Sequence, residues 1–328
     1  MKTLNLFFAI TLTFLVLSCS EKEPQTPVEK FGQLSVEGIH IVDQKGEPVQ
    51  LAGMSLFWSQ WIGKYYNYEC IEWLKEDWKC SVVRAAMAVE HGGYIANPKE
   101  EMAKVEAVVD AAIDLGLYVI VDFHSHRAEQ YQDEAVEFFG KLAQKYGHYP
   151  NIIYEIYNEP LNVSWSEVLK PYSEAVIAAI REHDTNNIIA CGTPRWSQLV
   201  NEAANDPIEG DNIAYVLHFY AGTHGKELME IGEEAISKGL CLIVTEYGTT
   251  EANGDGDVYV EETKAWYAWM DKYKISHCNW SIADKDEASA ALVSGAHPQG
   301  GWPEDMLKPS AKLVRSELLK KHEEMFGQ

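Results

Sequence analysis

Two glutamates each follow an apolar run of strand type. Glu159 ends Ile152-Ile153-Tyr154-Glu155-Ile156-Tyr157-Asn158-Glu159-Pro160, and Glu246 follows Leu240-Cys241-Leu242-Ile243-Val244-Thr245. Carboxylates at the C-terminal ends of barrel strands lie on the face where such folds do chemistry. Two of them, from non-adjacent strands and with aromatics nearby, point to cleavage of a glycosidic bond. One carboxylic acid protonates the leaving oxygen, and the other carboxylate attacks the anomeric carbon or activates water. Pro160, directly after Glu159, fixes the turn that presents it.

The elements that must position this pair read as alternating strands and helices from about residue 50 to residue 315. Strands are expected at 50–55, 81–86, 117–123, 152–157, 187–191, 213–218, 240–245 and 275–280. Helical patterns fall between them, at 100–115, 132–146, 166–182, 226–238 and 260–273, with a last one at 308–320. This alternation predicts an α/β fold, a closed (β/α)8 TIM barrel. Glu159 and Glu246 then end its fourth and seventh strands and share one cleft. A doubly wound open sheet is the rival, but no glycine-rich phosphate loop follows the first strand. Ahead of the barrel, 34–38 and 39–43 read as a short hairpin with a turn at Gln44-Lys45-Gly46, closing the barrel's bottom.

The chain has 328 residues, with 50 Asp and Glu against 27 Lys and Arg and a formal net charge of -23. That balance argues against a nucleic-acid partner, which needs a basic footprint. A neutral polysaccharide is not repelled, and 10 Trp and 17 Tyr supply flat faces on which sugars stack. The first residues are a processing segment. Lys2 precedes an apolar run too short to span a bilayer, which ends in Val16-Leu17-Ser18-Cys19. Residues 1–18 read as a lipoprotein signal peptide, with lipidation of Cys19. Residues 19–33 read as a flexible tether, and 34–328 as a single catalytic domain. The expected location is the cell envelope, in the outer membrane and facing outward, with a periplasmic or secreted protein as the alternative. The membrane is then touched through the lipid alone, and a monomer is expected. Cys70, Cys80, Cys191, Cys241 and Cys278 form no disulfide framework, although Cys70 and Cys80 could pair.

Longer stretches carry a resemblance to glycoside hydrolase family 5, and within it to the bacterial endoglucanase branch. The most specific are Tyr149 to Pro160, Cys191-Gly192-Thr193-Pro194-Arg195-Trp196-Ser197-Gln198, His218-Phe219-Tyr220-Ala221-Gly222-Thr223-His224-Gly225 and Asn279-Trp280-Ser281. The resemblance implies a retaining endo-β-1,4-glucanase acting on β-glucan polysaccharide and cello-oligosaccharides, with no cofactor and no metal. It implies that Glu159 is the acid/base and Glu246 the nucleophile. Arg84 and Tyr220 resemble the residues that flank the nucleophile, and Asn158 the one that holds a sugar 2-hydroxyl. His124 and His218 resemble cleft histidines. Trp280 resembles the platform under the reacting sugar, Trp61 and Trp196 line the cleft, and Lys285 and Glu287 match contacts to a more distal glucose.

The chain also departs from that pattern. Phe57 stands where many relatives carry a histidine, and His126 and Arg127 follow His124 where relatives vary. His124-x-His126 invites a metal-dependent hydrolase, but such barrels place the pair on the first strand and want further ligands. A barrel that only binds glycan at the cell surface needs no proton donor, so the paired glutamates weigh against it. Xyloglucan and mannan remain open as substrates.

Overall fold

The computed structural model of the chain describes residues 26–327. Cys19 and residues 1–18, read from the sequence as a signal peptide, lie outside the described residues. Residues 26–33, expected in the tether, instead form part of the folded body. Pro27–Phe31 is a helix closed by a capping box, in which the Thr26 hydroxyl accepts from Glu29 N–H and the Glu29 carboxylate from Thr26 N–H. Val28 and Phe31 pack against the barrel's interior cluster, and the Tyr118 hydroxyl donates to Gly32 O at 2.6 Å. These apolar anchors hold a segment whose polar composition reads as a linker.

Strands β1 (Ser35–Glu37) and β2 (His40–Val42) pair antiparallel, with Glu37 opposite His40. The hairpin turn therefore falls at Gly38-Ile39. Gly38 has φ +59°, which suits glycine. The expected turn at 44–46 also exists, but it folds Pro48 back onto Val42.

The barrel strands are β3 (Ala52–Leu56), β4 (Val82–Ala88), β5 (Tyr118–His124), β6 (Ile152–Glu155), β7 (Ile188–Cys191), β8 (Ile213–Val216) with its short continuation β9 (Phe219–Tyr220), β10 (Leu242–Gly248) and β11 (His277–Ile282). All pair in parallel, and β11 closes the ring onto β3. The result is the eight-stranded (β/α)8 barrel read from the sequence. Helices Tyr68–Glu76, Pro98–Leu115, Gln132–Tyr146, Lys170–Arg181, Val200–Asn205, Lys226–Ser237, Val260–Tyr273 and Pro309–Phe326 surround it.

Alternation along each strand divides the core in two. Val83, Val119, Ile152, Ile189 and Val244 face the helices, while Val82, Ile120, Ile153, Ile188, Ala214 and Ile243 fill the barrel. Leu34, Ile41 and Val49 join the inner set, so the hairpin plugs the end where the strands begin. That leaves the opposite end, where Glu159 and Glu246 lie, open for a cleft. The cysteines from Cys70 onward are buried and free, so Cys70 and Cys80 do not pair.

Candidate active site

The inward parity that fills the barrel with Val82, Ile120 and Ile153 also places Arg84, Asp122 and Glu155 inside it. Register makes them neighbours: Ser55 pairs with Arg84, and Asp122 with Glu155. Arg84 is fully buried and its guanidinium is saturated. Nε and Nη2 form a fork on Glu155 at 2.7 and 3.1 Å, and Nη2 also reaches Asn158 Oδ1 at 2.7 Å and Asp122 Oδ2 at 2.9 Å. Nη1 donates to Glu246 Oε2 at 3.1 Å and Ser55 Oγ at 3.2 Å. Burial opposes the charge on Arg84, but Asp122, Glu155 and Glu246 outweigh burial and hold the guanidinium protonated. Only arginine offers this planar set of donors.

Glu246 owes its direction to an irregularity. Between β10 and β11 the register steps from Val244 opposite His277 to Tyr247 opposite Asn279. Three steps on one strand meet two on the other, as in a β-bulge. Successive side chains then both face inward. Thr245 Oγ1 donates to Glu155 at 2.6 Å, while Glu246 meets Arg84 and accepts from the Tyr220 hydroxyl at 2.8 Å. Tyr220 lies directly over Gly248, where an added Cβ would fall 2.1 Å from its ring.

Glu159 is held from two sides. His218 Nδ1 lies 3.1 Å from Oε1, and His126 Nε2 lies 3.2 Å from Oε2. Because Thr245 donates to Glu155, His218 Nε2–H must donate to Thr245 Oγ1, 2.8 Å away. A neutral His218 then has a bare Nδ1, so Glu159 must carry the proton that joins them. A cationic His218 instead donates to ionised Glu159. One proton thus serves both groups.

The charges follow from this wiring. Burial raises Glu159, but hydrogen bonds from His126 and His218 outweigh it and hold the carboxyl at about 2. Burial lowers His218, but Glu155 and Glu159 lift it to about 9. Burial, and then the charge on Glu159, raise Glu246 against the pull of His218 and Arg84. The two glutamates titrate together, since a proton on Glu159 removes the charge that opposes ionisation of Glu246. One oxygen of Glu159, one of Glu246 and a His218 nitrogen all lie within 4.8 Å of one another.

Around this centre the structure gathers most of the residues anticipated from the sequence. Arg84 holds the Asn158 amide by its oxygen. His124 is buried, with Nδ1 2.5 Å from Asp122, and burial and Arg84 keep its ring neutral. Trp280 stacks on His124 with centroids 5.1 Å apart and tilts against Phe57, so at 5% exposure most of the ring is floor. Trp61 and Trp196 are 57% and 43% exposed. They follow β3 and β7, the first and fifth strands of the ring, and so stand on opposite sides of the mouth. Lys285 and Glu287 pair with each other, and Lys285 Nζ sits 4.9 Å above Phe57, grouping them on the Trp61 side. On the other side a cavity of about 380 Å3 joins Glu159, Trp196, His218, Tyr220 and His224.

Sequence reasoning passed over Glu155, Asp122 and Thr245, and gave His126 no role beside Glu159. For Asp122 and Glu155 the signal was parity. An ionisable residue in the inward phase of a barrel strand needs a buried partner, and Arg84, Asp122 and Glu155 share that phase.

A (β/α)8 barrel whose open face holds two facing carboxylates, one bound to arginine and tyrosine and the other to two histidines, has the apparatus of a retaining glycoside hydrolase. The chain belongs to glycosyl hydrolase family 5, whose cellulase model matches residues 42–286. It is 50% identical to endoglucanase Z of Dickeya dadantii over 291 residues, covering 87% of this chain and 67% of that protein. It is 45% identical to endoglucanase A of Evansella cellulosilytica over 321 residues, covering 96% of this chain but only 65% of that protein. The chain thus spans about two thirds of the length of these relatives. A solved structure from Cytophaga hutchinsonii superposes with a TM-score of 0.91 at 55% identity, covering 92% of this chain and 99% of that one. The catalytic domain of Thermobifida fusca endoglucanase Cel5A gives 0.86 at 34% identity, covering 90% and 99%.

Proposed function

We propose that this protein is a retaining endo-β-1,4-glucanase acting on cellulose-type and mixed-linkage β-glucans. The observation that carries the reading is the approach of Glu159 and Glu246 oxygens to within 4.8 Å. Retaining glycosidases hold their carboxyl groups about 5 Å apart, whereas inverting ones leave about 6.5–9.5 Å for a water. Glu246, aimed by Arg84 and Tyr220, attacks the anomeric carbon. Glu159 gives its proton to the leaving oxygen, drawing it from the bond shared with His218. A glycosyl–Glu246 ester results. Glu159 then takes a proton from water, which attacks the same carbon from the face the leaving group vacated. The Asn158 amide holds the 2-hydroxyl, a contact that strengthens in the transition state.

Exposed tryptophans on both sides of the reacting centre support binding of a chain that runs across the mouth, and therefore internal cleavage. The test is proton NMR of the first product together with viscometry of soluble glucan. A β-anomer first, and a viscosity drop that outruns the release of reducing ends, are expected. An α-anomer, or cellobiose release at constant viscosity, would sink the reading. The Ser18-Cys19 site supports a lipid anchor and an outward-facing envelope location. Cys19→Ser should release or misprocess the protein, and a soluble mature chain starting downstream of Cys19 would count against the anchor.

A further inference from the structure

A second cavity, of about 640 Å3, opens at the barrel mouth beside the cleft. Trp58, Glu90, Ile95, Ala96, His126 and Arg127 line it, mainly from the segments after β4 and β5. Its volume lies within the range of small-molecule sites, roughly 300–1,000 Å3. Glu246, Tyr220 and Trp280 do not line it.

Its position sets what can reach it. A glucan that touches Trp61 and Trp196 crosses the ring from the first strand to the fifth. The cavity stands over the second and third strands, on one flank of that line. His126 is the shared wall: it lines the cavity, and its Nε2 lies 3.2 Å from Glu159 Oε2. The cavity therefore adjoins the scissile bond, yet a linear chain passes its mouth without filling it.

Its chemistry suits a neutral polyol. Glu90 Oε1 accepts from Ser125 Oγ at 2.8 Å, while Glu90 Oε2 is buried without a partner among the described residues. An unpaired carboxylate oxygen is costly until a donor arrives. Arg127, exposed beside it, supplies donors. The opposed charges disfavour an anion or a cation but match the donor and acceptor sides of hydroxyl groups. Trp58, edge-on to His126 at 5.8 Å, gives an aromatic wall.

We propose that this cavity is a side subsite for a single-sugar branch on a glucosyl unit next to the scissile bond, making branched β-1,4-glucans substrates. The inference rests on the endo-β-1,4-glucanase reading above. The 6-hydroxyl, on its exocyclic carbon, reaches furthest from a 1,4-linked ring and is the attachment point that fits. Successive units of a β-1,4 chain are flipped, so their 6-carbons point to opposite edges. Only one of the two sugars flanking the cleaved bond can therefore place its branch in the cavity.

The test compares kcat/KM on barley mixed-linkage glucan and on xyloglucan, whose xylosyl branches sit on 6-hydroxyls, for wild type and Ala96→Trp. Ala96 is exposed, so the larger ring burdens no core. Wild type should cleave both polymers. Ala96→Trp should lose about tenfold or more on xyloglucan, the scale on which a pocket discriminates by volume. On barley glucan it should stay within about twofold. Product analysis should find a branch always on the same one of the two flanking sugars. Wild-type cleavage of barley glucan but not xyloglucan overturns the side subsite alone. So does an Ala96→Trp variant that affects both polymers equally or neither. Failure to cleave either polymer sinks the glucanase reading and this inference with it.

Discussion

His126 Nε2 lies 3.2 Å from Glu159 Oε2, on the carboxylate oxygen that His218 leaves open. Glu159 is thus held on both oxygens by imidazoles, and these bonds keep it at about 2 against the upward push of burial. Replacing His126 by Asn removes the imidazole from Oε2. The Glu159 carboxyl should then titrate nearer the ordinary value of about 4.3. Carbon-13 titration of labelled glutamate reads this directly, and an unmoved Glu159 resonance would show that the His126 bond carries no weight. A higher value keeps the acid protonated to higher pH, so the alkaline limb of the glucan pH profile should move up, while aryl cellobiosides with good leaving groups, which need little protonation, should shift less.

Tyr220 reaches Glu246 only because residue 248 has no side chain. A Cβ at Gly248 would lie 2.1 Å from Tyr220 Cδ1 and 2.4 Å from Cε1, so the ring must move. That movement breaks the 2.8 Å bond from the hydroxyl to Glu246. Hydrogen bonds to charged groups contribute about 1.5–3 kcal/mol, so Gly248→Ala should lower kcat/KM by about ten- to a hundredfold. Tyr220→Phe should lose a similar factor, and combining the two changes should add little. Full additivity in the double variant would mean that Gly248 acts through something other than Tyr220.

These couplings mark where the sequence was readable and where it was not. Strand positions followed from apolar runs with punctuation, so the ring and the ends bearing Glu159 and Glu246 were visible in one dimension. The partners of Arg84 depend on which residues share a level inside the barrel, and that level comes from register between strands distant in sequence. Thr245 and Glu246 facing the same way contradicts simple alternation, because the bulge against β11 is a property of two strands. His126 lies on a loop, where no periodicity indicates direction. Helix Pro27–Phe31 failed to register because its anchors, Gly116 and Tyr118, lie about ninety residues away.

His277 offers a test of stability against pH. It is buried, neither ring nitrogen has a hydrogen-bond partner among the described residues, and it stacks on Tyr267. Burial, helped by Lys321, lowers its pKa to about 3. The unfolded chain takes up this proton below about pH 6.5, while the folded chain resists until about pH 3. The folded pKa is depressed, so stability is lost as pH falls through that window, by about 1.4 kcal/mol per pH unit from this residue. His277→Phe keeps the ring and removes the proton site. Its denaturant midpoint should fall less than that of wild type between pH 6.5 and pH 4. Parallel curves would show that His277 is hydrated or paired in solution.

The two carboxylates should fail in different ways when removed. Glu246 is the group that Arg84 and Tyr220 aim, and no other carboxylate oxygen is placed by both. Glu246→Ala should therefore abolish turnover of every glucoside, by several orders of magnitude, because no covalent intermediate can form. Glu159→Ala keeps the nucleophile. On an aryl cellobioside with a good leaving group the first step should be partly spared, since the departing oxygen needs little protonation. The glycosyl–Glu246 ester should then accumulate, because nothing activates water. Azide needs no base, so adding it should accelerate turnover. It attacks the anomeric carbon from the side the leaving group vacated, after Glu246 has already inverted it once. Two inversions give the β-glycosyl azide. An α-azide from Glu159→Ala would reverse the two assignments, and azide that leaves the rate unchanged would show that Glu159 does not activate the water.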